Sequence, residues 1–148
     1  MRIYLDVCCL NRPFDDNAQD RIRLESEAVL AVLKRHQDRS WSLLGSEVIN
    51  FEISQIPDDE RRQKVMLLST VLQSCIIVDV NAEKRAIELE KLGFRSIDAL
   101  HIACAEKGKA DVLLTTDDDL LRRALQYKEG LKVRVENPVK WLMEEIER

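Results

Sequence analysis

The chain has 148 residues, 45% of them hydrophobic and 34% charged, with a formal net charge of −4. That length supports one domain with a substantial core and no need of disulfide staples, and the mixture excludes a disordered or low-complexity polymer. Net negative charge excludes holding nucleic acid by bulk attraction alone. Any such contact needs a local basic rim, for which Arg12, Arg21, Arg23, Arg61, Arg62, Lys64, Arg122 and Arg123 are the candidates. No apolar run is long enough to span a bilayer and no leader opens the sequence, so a cytoplasmic, single-domain protein over residues 1–148, with no membrane contact, is expected. Its cysteines, Cys8, Cys9, Cys75 and Cys104, should be reduced. A zinc site from Cys8, Cys9, Cys104 and His101 lacks the paired spacing of such sites, and buried thiols acting as small hydrophobes are the expectation.

Met1 to Asp6 is a short apolar run ending in a carboxylate, the pattern of a first strand with an acid at its carboxyl end. The segment from Val7 to Asp16, containing Asn11-Arg12-Pro13-Phe14-Asp15-Asp16, reads as a loop at the sheet edge. From about Gln19 to His36 the apolar residues Ile22, Val29, Leu30 and Leu33 keep helical spacing. Trp41 to Leu44 reads as a strand, Gly45-Ser46 as a break and cap, and helices follow over about 47–56 and 59–74. Cys75 to Val80 is almost continuously apolar, which predicts an interior parallel strand.

Asn81 is placed to cap a helix to about Lys91, and Ser96 to cap another from about Ile97 to Lys107. Asp111 to Thr115 reads as a buried strand, Thr116-Asp117-Asp118-Asp119 as the opening of a helix to about Tyr127, Lys132 to Val135 as a last strand, and Pro138 as the start of a terminal helix. Alternating strands and helices predict an α/β fold, a three-layer α/β/α sandwich around a parallel sheet of about five strands.

Two strands then aim acids at one edge, Asp6 after the first and Asp117 after the fourth. For Asp117 the alternative is a helix cap, although three acids in a row exceed what capping needs. Asp98 lies in the first turn of an otherwise apolar helix, where a buried charge needs a partner. Glu52 stands among Val48, Ile49, Phe51 and Ile53. Two carboxylates about 4 Å apart repel by roughly 4 kcal/mol at an effective dielectric near 20, so a cluster of them calls for a cation. Mg²⁺ or Mn²⁺ suits oxygen ligands and leaves room for a phosphate, and the chemistry that follows is metal-assisted attack of water on a phosphodiester.

These residues resemble the PIN domain nucleases, a family that includes the toxin halves of VapBC-type toxin–antitoxin pairs. Ile3-Tyr4-Leu5-Asp6 is similar to the family's first strand and acid, and Ser46 with Glu52 six residues later to its second motif. Ser96-Ile97-Asp98-Ala99-Leu100-His101-Ile102-Ala103 is similar to the third, and Leu113-Leu114-Thr115-Thr116-Asp117-Asp118-Asp119 to the fourth. The resemblance implies a Mg²⁺- or Mn²⁺-dependent endoribonuclease, with Asp6, Glu52, Asp98 and Asp117 as metal-binding catalytic acids and Asp119 as a possible fifth. Glu47 competes with Glu52 for the second place, and Glu52 is preferred because its distance from Ser46 fits the motif. Asn11, Arg12 and Thr115 are the expected substrate contacts, and RNA, a small antitoxin and a second copy of the chain the expected partners.

One departure stands out. Val7 and Cys8 replace the Thr or Ser and the Asn that the family usually carries after its first acid, and Asn11 or Thr115 would have to take over their hydrogen bonds. Without such a replacement the fold would serve as a catalytically silent RNA- or protein-binding domain. A phospho-acceptor receiver domain also clusters acids on a parallel sheet, but the acidic pair and the late lysine it requires are not in register. His101, one turn from Asp98, faces either the acids or the core, with a supporting role favoured over direct ligation. Val65, Leu68, Val71 and Leu72 are the expected apolar surface for self-association.

Overall fold

In the computed structural model, which describes residues 1–38 and 41–147, the strands are β1 (Arg2–Leu5), β2 (Ser42–Ser46), β3 (Gln73–Ile76), β4 (Val112–Leu114) and β5 (Arg134–Glu136). Residues 39, 40 and 148, which the expected domain includes, lie outside the described residues. The strands form one all-parallel sheet in the order β3-β2-β1-β4-β5. Eight α-helices are described: α1 (Val7–Asn11), α2 (Asp20–Asp38), α3 (Glu47–Ser54), α4 (Asp59–Ser69), α5 (Val80–Lys91), α6 (Ser96–Lys107), α7 (Asp118–Gln126) and α8 (Pro138–Ile146).

β1 is central because it is apolar on both faces: Ile3, Tyr4 and Leu5 are fully buried, and Ile3 pairs with Leu43 on one side and Val112 on the other. From β1 the chain steps outward to β2 and β3, then crosses back to β4 and β5. Right-handed crossovers put the helices of these two excursions on opposite faces of the sheet, which gives the expected three layers. The direction of stepping reverses between β1 and β4, and the gap beyond their carboxyl ends is where such a sheet presents a binding crevice. Among the described residues, no helix is long and apolar enough to cross a membrane.

Several expectations are corrected. The strand expected over Cys75 to Val80 is neither interior nor so placed: β3 spans Gln73–Ile76 at the sheet edge, with Cys75 exposed, and the apolar run continues beyond the sheet, leaving Ile77 and Val80 in solvent. Its pairing with β2 is irregular at Gly45, where a Cβ would stand 2.7 Å from the Ser74 carbonyl oxygen. Gly45 therefore permits close strand approach rather than breaking the strand.

The loop expected from Val7 is α1 followed by a 3-10 turn over Arg12–Phe14, in which Pro13 takes an early position that needs no N–H. Asp79 rather than Asn81 caps α5, and Ser96 is the first residue of α6 rather than its cap. Val65, Leu68, Val71 and Leu72 turn toward the core. The apolar side chains exposed on α3 and α4 are instead Phe51, Met66 and Leu67.

Candidate metal centre at the switch point

Asp6 follows β1 directly and occupies the cap position of α1, yet its carboxylate makes no capping bond. It is nearly buried and turned toward the gap between β1 and β4. Thr115, the residue after β4, donates its hydroxyl to Asp6 Oδ2 at 2.8 Å and accepts the Asp117 N–H at 3.1 Å. The Cys8 thiol lies 3.3 Å from the same carboxylate oxygen and 3.3 Å from Thr115 Oγ1. Thr115 thus supplies the hydroxyl that Val7 and Cys8 cannot. It is fully buried, so it supports Asp6 and is not available to a bound substrate.

Glu52 arrives from α3, whose start is fixed by Ser46 Oγ accepting the Ile49 N–H. Its carboxylate meets His101 Nε2, and the same nitrogen lies 3.7 Å from Asp6 Oδ1. His101 is buried on α6, and its other nitrogen is 2.6 Å from the Tyr4 hydroxyl, itself 2.7 Å from Ser46 Oγ. Burial works against a charge on His101, but the Glu52 hydrogen bond and the negative charges of Asp6, Glu52 and Asp98 outweigh it and raise its pKa. Burial pushes the Tyr4 hydroxyl well above the usual tyrosine range. Glu47, the competitor of Glu52, instead accepts the Val78 N–H at 2.7 Å, away from this group.

Asp98, in the first turn of α6, is driven up to about 6, first by burial and then by the charges of Asp6 and Asp117, with His101 and Arg95 pulling the other way. Asp117 caps α7, its Oδ1 accepting from the Asp119 and Leu120 N–H groups, while its Oδ2 stands 3.8 Å from Arg95. Capping and facing the cleft are therefore compatible at this residue. Asp119 is exposed and engaged with Arg95, at 3.0 Å, and with Arg122.

Asp6, Glu52, Asp98 and Asp117 line one cleft of about 320 Å³ together with Val7, Cys8, Asn11, Arg95 and Ile97. Among the described lining residues Arg95 is the one cation, and its proximity to the site was not read from the sequence; its position just before the Ser96 to Ala103 motif was the available signal. A larger hollow of about 880 Å³ between α7 and β5, lined in part by Leu125, Lys128 and Val133, lies apart from these acids. Asn11 reaches the cleft, while Arg12 turns away to Asp15 and Glu25.

Most of the expected basic rim is likewise committed to neighbouring acids. Arg21 pairs with Asp118, Arg23 with Asp20, Arg61 with Asp15, Arg62 with Asp59, Lys64 with Glu60 and Arg122 with Asp119.

One oxygen each of Asp6 and Glu52 and one nitrogen of His101 lie within 4.8 Å of one another. The group contains no cysteine, so the alternative of zinc held by Cys8, Cys9, Cys104 and His101 finds no geometry here. Clustered carboxylate oxygens, an acid that no cap consumes and a neighbouring acid raised to about 6 by burial and like charges fit a divalent cation that prefers oxygen, with His101 engaged through Nε2 by Glu52 beside them.

A PIN domain model matches residues 3–125 of the chain. Among solved structures, the chain is similar to one of VapBC2 from Rickettsia felis bound to a DNA fragment from their promoter, with a TM-score of 0.56 and 17% identity over 93% of this chain and 98% of that one. No curated protein matches the sequence.

Proposed function

Because the chain belongs to the PIN domain family, we propose that it is a Mg²⁺- or Mn²⁺-dependent endoribonuclease, acting as the toxin of a cytoplasmic two-component pair and silenced by a small antitoxin protein that covers its cleft. Residues 1–148 act as one domain in this reading, and the working form is a homodimer. The similarity to a chain from a VapBC2 assembly supports the paired arrangement. The observation that carries the nuclease is the cleft itself: four acids face one small space with a single arginine at its rim. That imbalance has a chemical purpose only if a cation enters.

Asp6, Glu52, Asp98 and Asp117 would hold the ion, with Asp119 as an outer acid at the α7 end. When bound, it would acidify a water and offset charge developing on the phosphodiester. The protein's own part is orientation and charge. Thr115 fixes Asp6 through its hydroxyl, His101 fixes Glu52, and the backbone N–H groups opening α7 fix Asp117. Asn11 and Arg95, on the cleft wall, would hydrogen-bond a phosphate.

The test is incubation of the purified protein with end-labelled RNA in Mg²⁺, in Mn²⁺ and in EDTA, beside Asp6→Asn and Asp98→Asn variants. Cleavage that needs metal and falls about a hundredfold or more in both variants is expected. Intact RNA across several substrates, together with no calorimetric heat of Mn²⁺ binding, would overturn the reading in favour of a silent scaffold.

A further inference from the structure

Beyond Asn11, the segment Asn11-Arg12-Pro13-Phe14-Asp15-Asp16 has no place in the chemistry above, yet Arg12 and Asp15 within it are held by a chain of ion pairs. They lead to Glu25 on α2, a carboxylate only 2% exposed. Its Oε1 accepts from Arg12 Nε at 2.8 Å, and its Oε2 from Arg21 Nε at 3.2 Å and Asn137 Nδ2 at 2.7 Å. Neither guanidinium ends there. Arg12 continues to Asp15 at 3.0 Å, and Asp15 to Arg61 at 2.7 Å, which also reaches the Phe14 carbonyl. Arg21 continues to both Asp118 oxygens at 2.8 Å and to the Thr116 carbonyl at 3.0 Å. One arm secures the turn at the far end of α1, the short helix that Asp6 opens, with Arg61 also reaching Asn11 Oδ1 at 3.3 Å; the other secures the turn on either side of Asp117.

We propose that Glu25 is a positioning residue, joining the two strand-end segments that carry Asp6 and Asp117 into one rigid unit and so setting the spacing of the acids across the cleft. The inference rests on the metal-centre reading above. Stability alone does not account for the arrangement, because a buried ion pair is commonly no more stabilising than a well-packed apolar replacement. A planar guanidinium gripped at one edge is aimed at its other edge: here Arg21 is aimed at Thr116 and Asp118, which flank Asp117, and Arg12 at Asp15 in the turn that ends α1. Asn137, which caps α8 through its Oδ1, fixes the hub to the rest of the fold.

The experiment combines amide hydrogen exchange in EDTA with Mn²⁺ calorimetry on the full chain. Glu25→Gln keeps the shape and leaves Arg12 with Asp15 and Arg21 with Asp118, so folding is expected to survive. Exchange should quicken about tenfold in both 7–16 and 115–120 while β1 and β4 stay protected, and Mn²⁺ affinity should fall about tenfold. Arg21→Ala, at a side chain half-exposed to solvent, serves as the second variant and should loosen 115–120 alone. Unchanged exchange at either segment in Glu25→Gln, or wild-type Mn²⁺ affinity in that variant, would overturn the proposal. Should the wild type itself bind no Mn²⁺, the metal-centre reading fails and with it the positioning role, whereas the exchange pattern still decides whether Glu25 joins the two segments.

Discussion

Two carboxylates lie close to the same sheet edge, and the chain treats them in opposite ways. Glu25, 2% exposed, receives two guanidinium groups and an amide. Asp6, 7% exposed, receives a hydroxyl and a thiol, lies 3.7 Å from an imidazole that Glu52 engages, and faces further acids. Both burials strip water from a charge and both need compensation. The difference shows that this fold can neutralise a buried acid from its own arginines and that its cleft is built without that neutralisation. A shortage of cations in one place, beside a surplus of pairing in the other, reads as space kept for an ion from outside.

The comparison can be broken by substitution. Glu25→Ala leaves Arg12 and Arg21 facing a void and should cost about 3–5 kcal/mol, read as a fall in the urea midpoint at constant slope. A loss below 1 kcal/mol would mean that the hub is not compensated as described. Next in size is the response to metal: Mn²⁺ at about a hundred times its dissociation constant should stabilise the wild type by about 2.7 kcal/mol in thermal unfolding. Asp98→Asn should forfeit most of that gain, and Glu25→Gln only part of it.

Asp98→Asn should have the opposite sign to Glu25→Ala when metal is absent. In EDTA at neutral pH it should stabilise the protein by about 1–2 kcal/mol, after allowance for solvent screening. Asp98 titrates near 6 in the folded protein against an ordinary 3.8, so the folded form binds its proton first. The metal-free wild type therefore gains stability as pH falls from about 7 toward 4. His101, raised despite its burial by the Glu52 bond and the surrounding acids, acts in the same direction: its contribution is complete below its ordinary value and is lost as pH rises through the folded one. In Asp98→Asn the slope of stability against pH should be visibly shallower, and an unchanged slope would remove Asp98 as its source. The smallest effect is expected at Thr115→Val, which deletes one hydroxyl between Asp6 and Asp117. It should cost about 1 kcal/mol in chemical denaturation.

The sheet and most helix positions could be read from the sequence because alternating apolar runs and helical spacing are local signals. The failures came where a local signal was overruled by neighbours. Cys75-Ile76-Ile77-Val78 looks interior, but strand order depends on which crossovers the helices permit, and β3 ends up with one partner. Val7 to Asn11 looks like a loop because Pro13 follows, yet Cys9 and Leu10 find full burial by turning helically at once after β1.

At the cleft, the sequence could nominate acids by position after strands. Spacing from Ser46 favoured Glu52 over Glu47, but both occupy one short helix, and what separates them physically is the placement of Val78 and His101. Arg12 was legible as a cation but not as the partner of Glu25, because pairing across α2 depends on how the 3-10 turn closes.

The central position of β1 has a consequence in time. Thr115 and Asp6, hydrogen-bonded across the cleft, are 109 residues apart in the chain, and the first strand finds its second neighbour only when β4 has been made. At about 5–20 residues per second during synthesis, the early half of the cleft waits several seconds on the ribosome for the late half. A growing chain carrying Asp6 and Glu52 has no Asp117 to face them until α6 and β4 have also been made. Truncated products of interrupted translation would be born without a complete cleft, and a protein that binds the finished surface has nothing to bind until that interval ends.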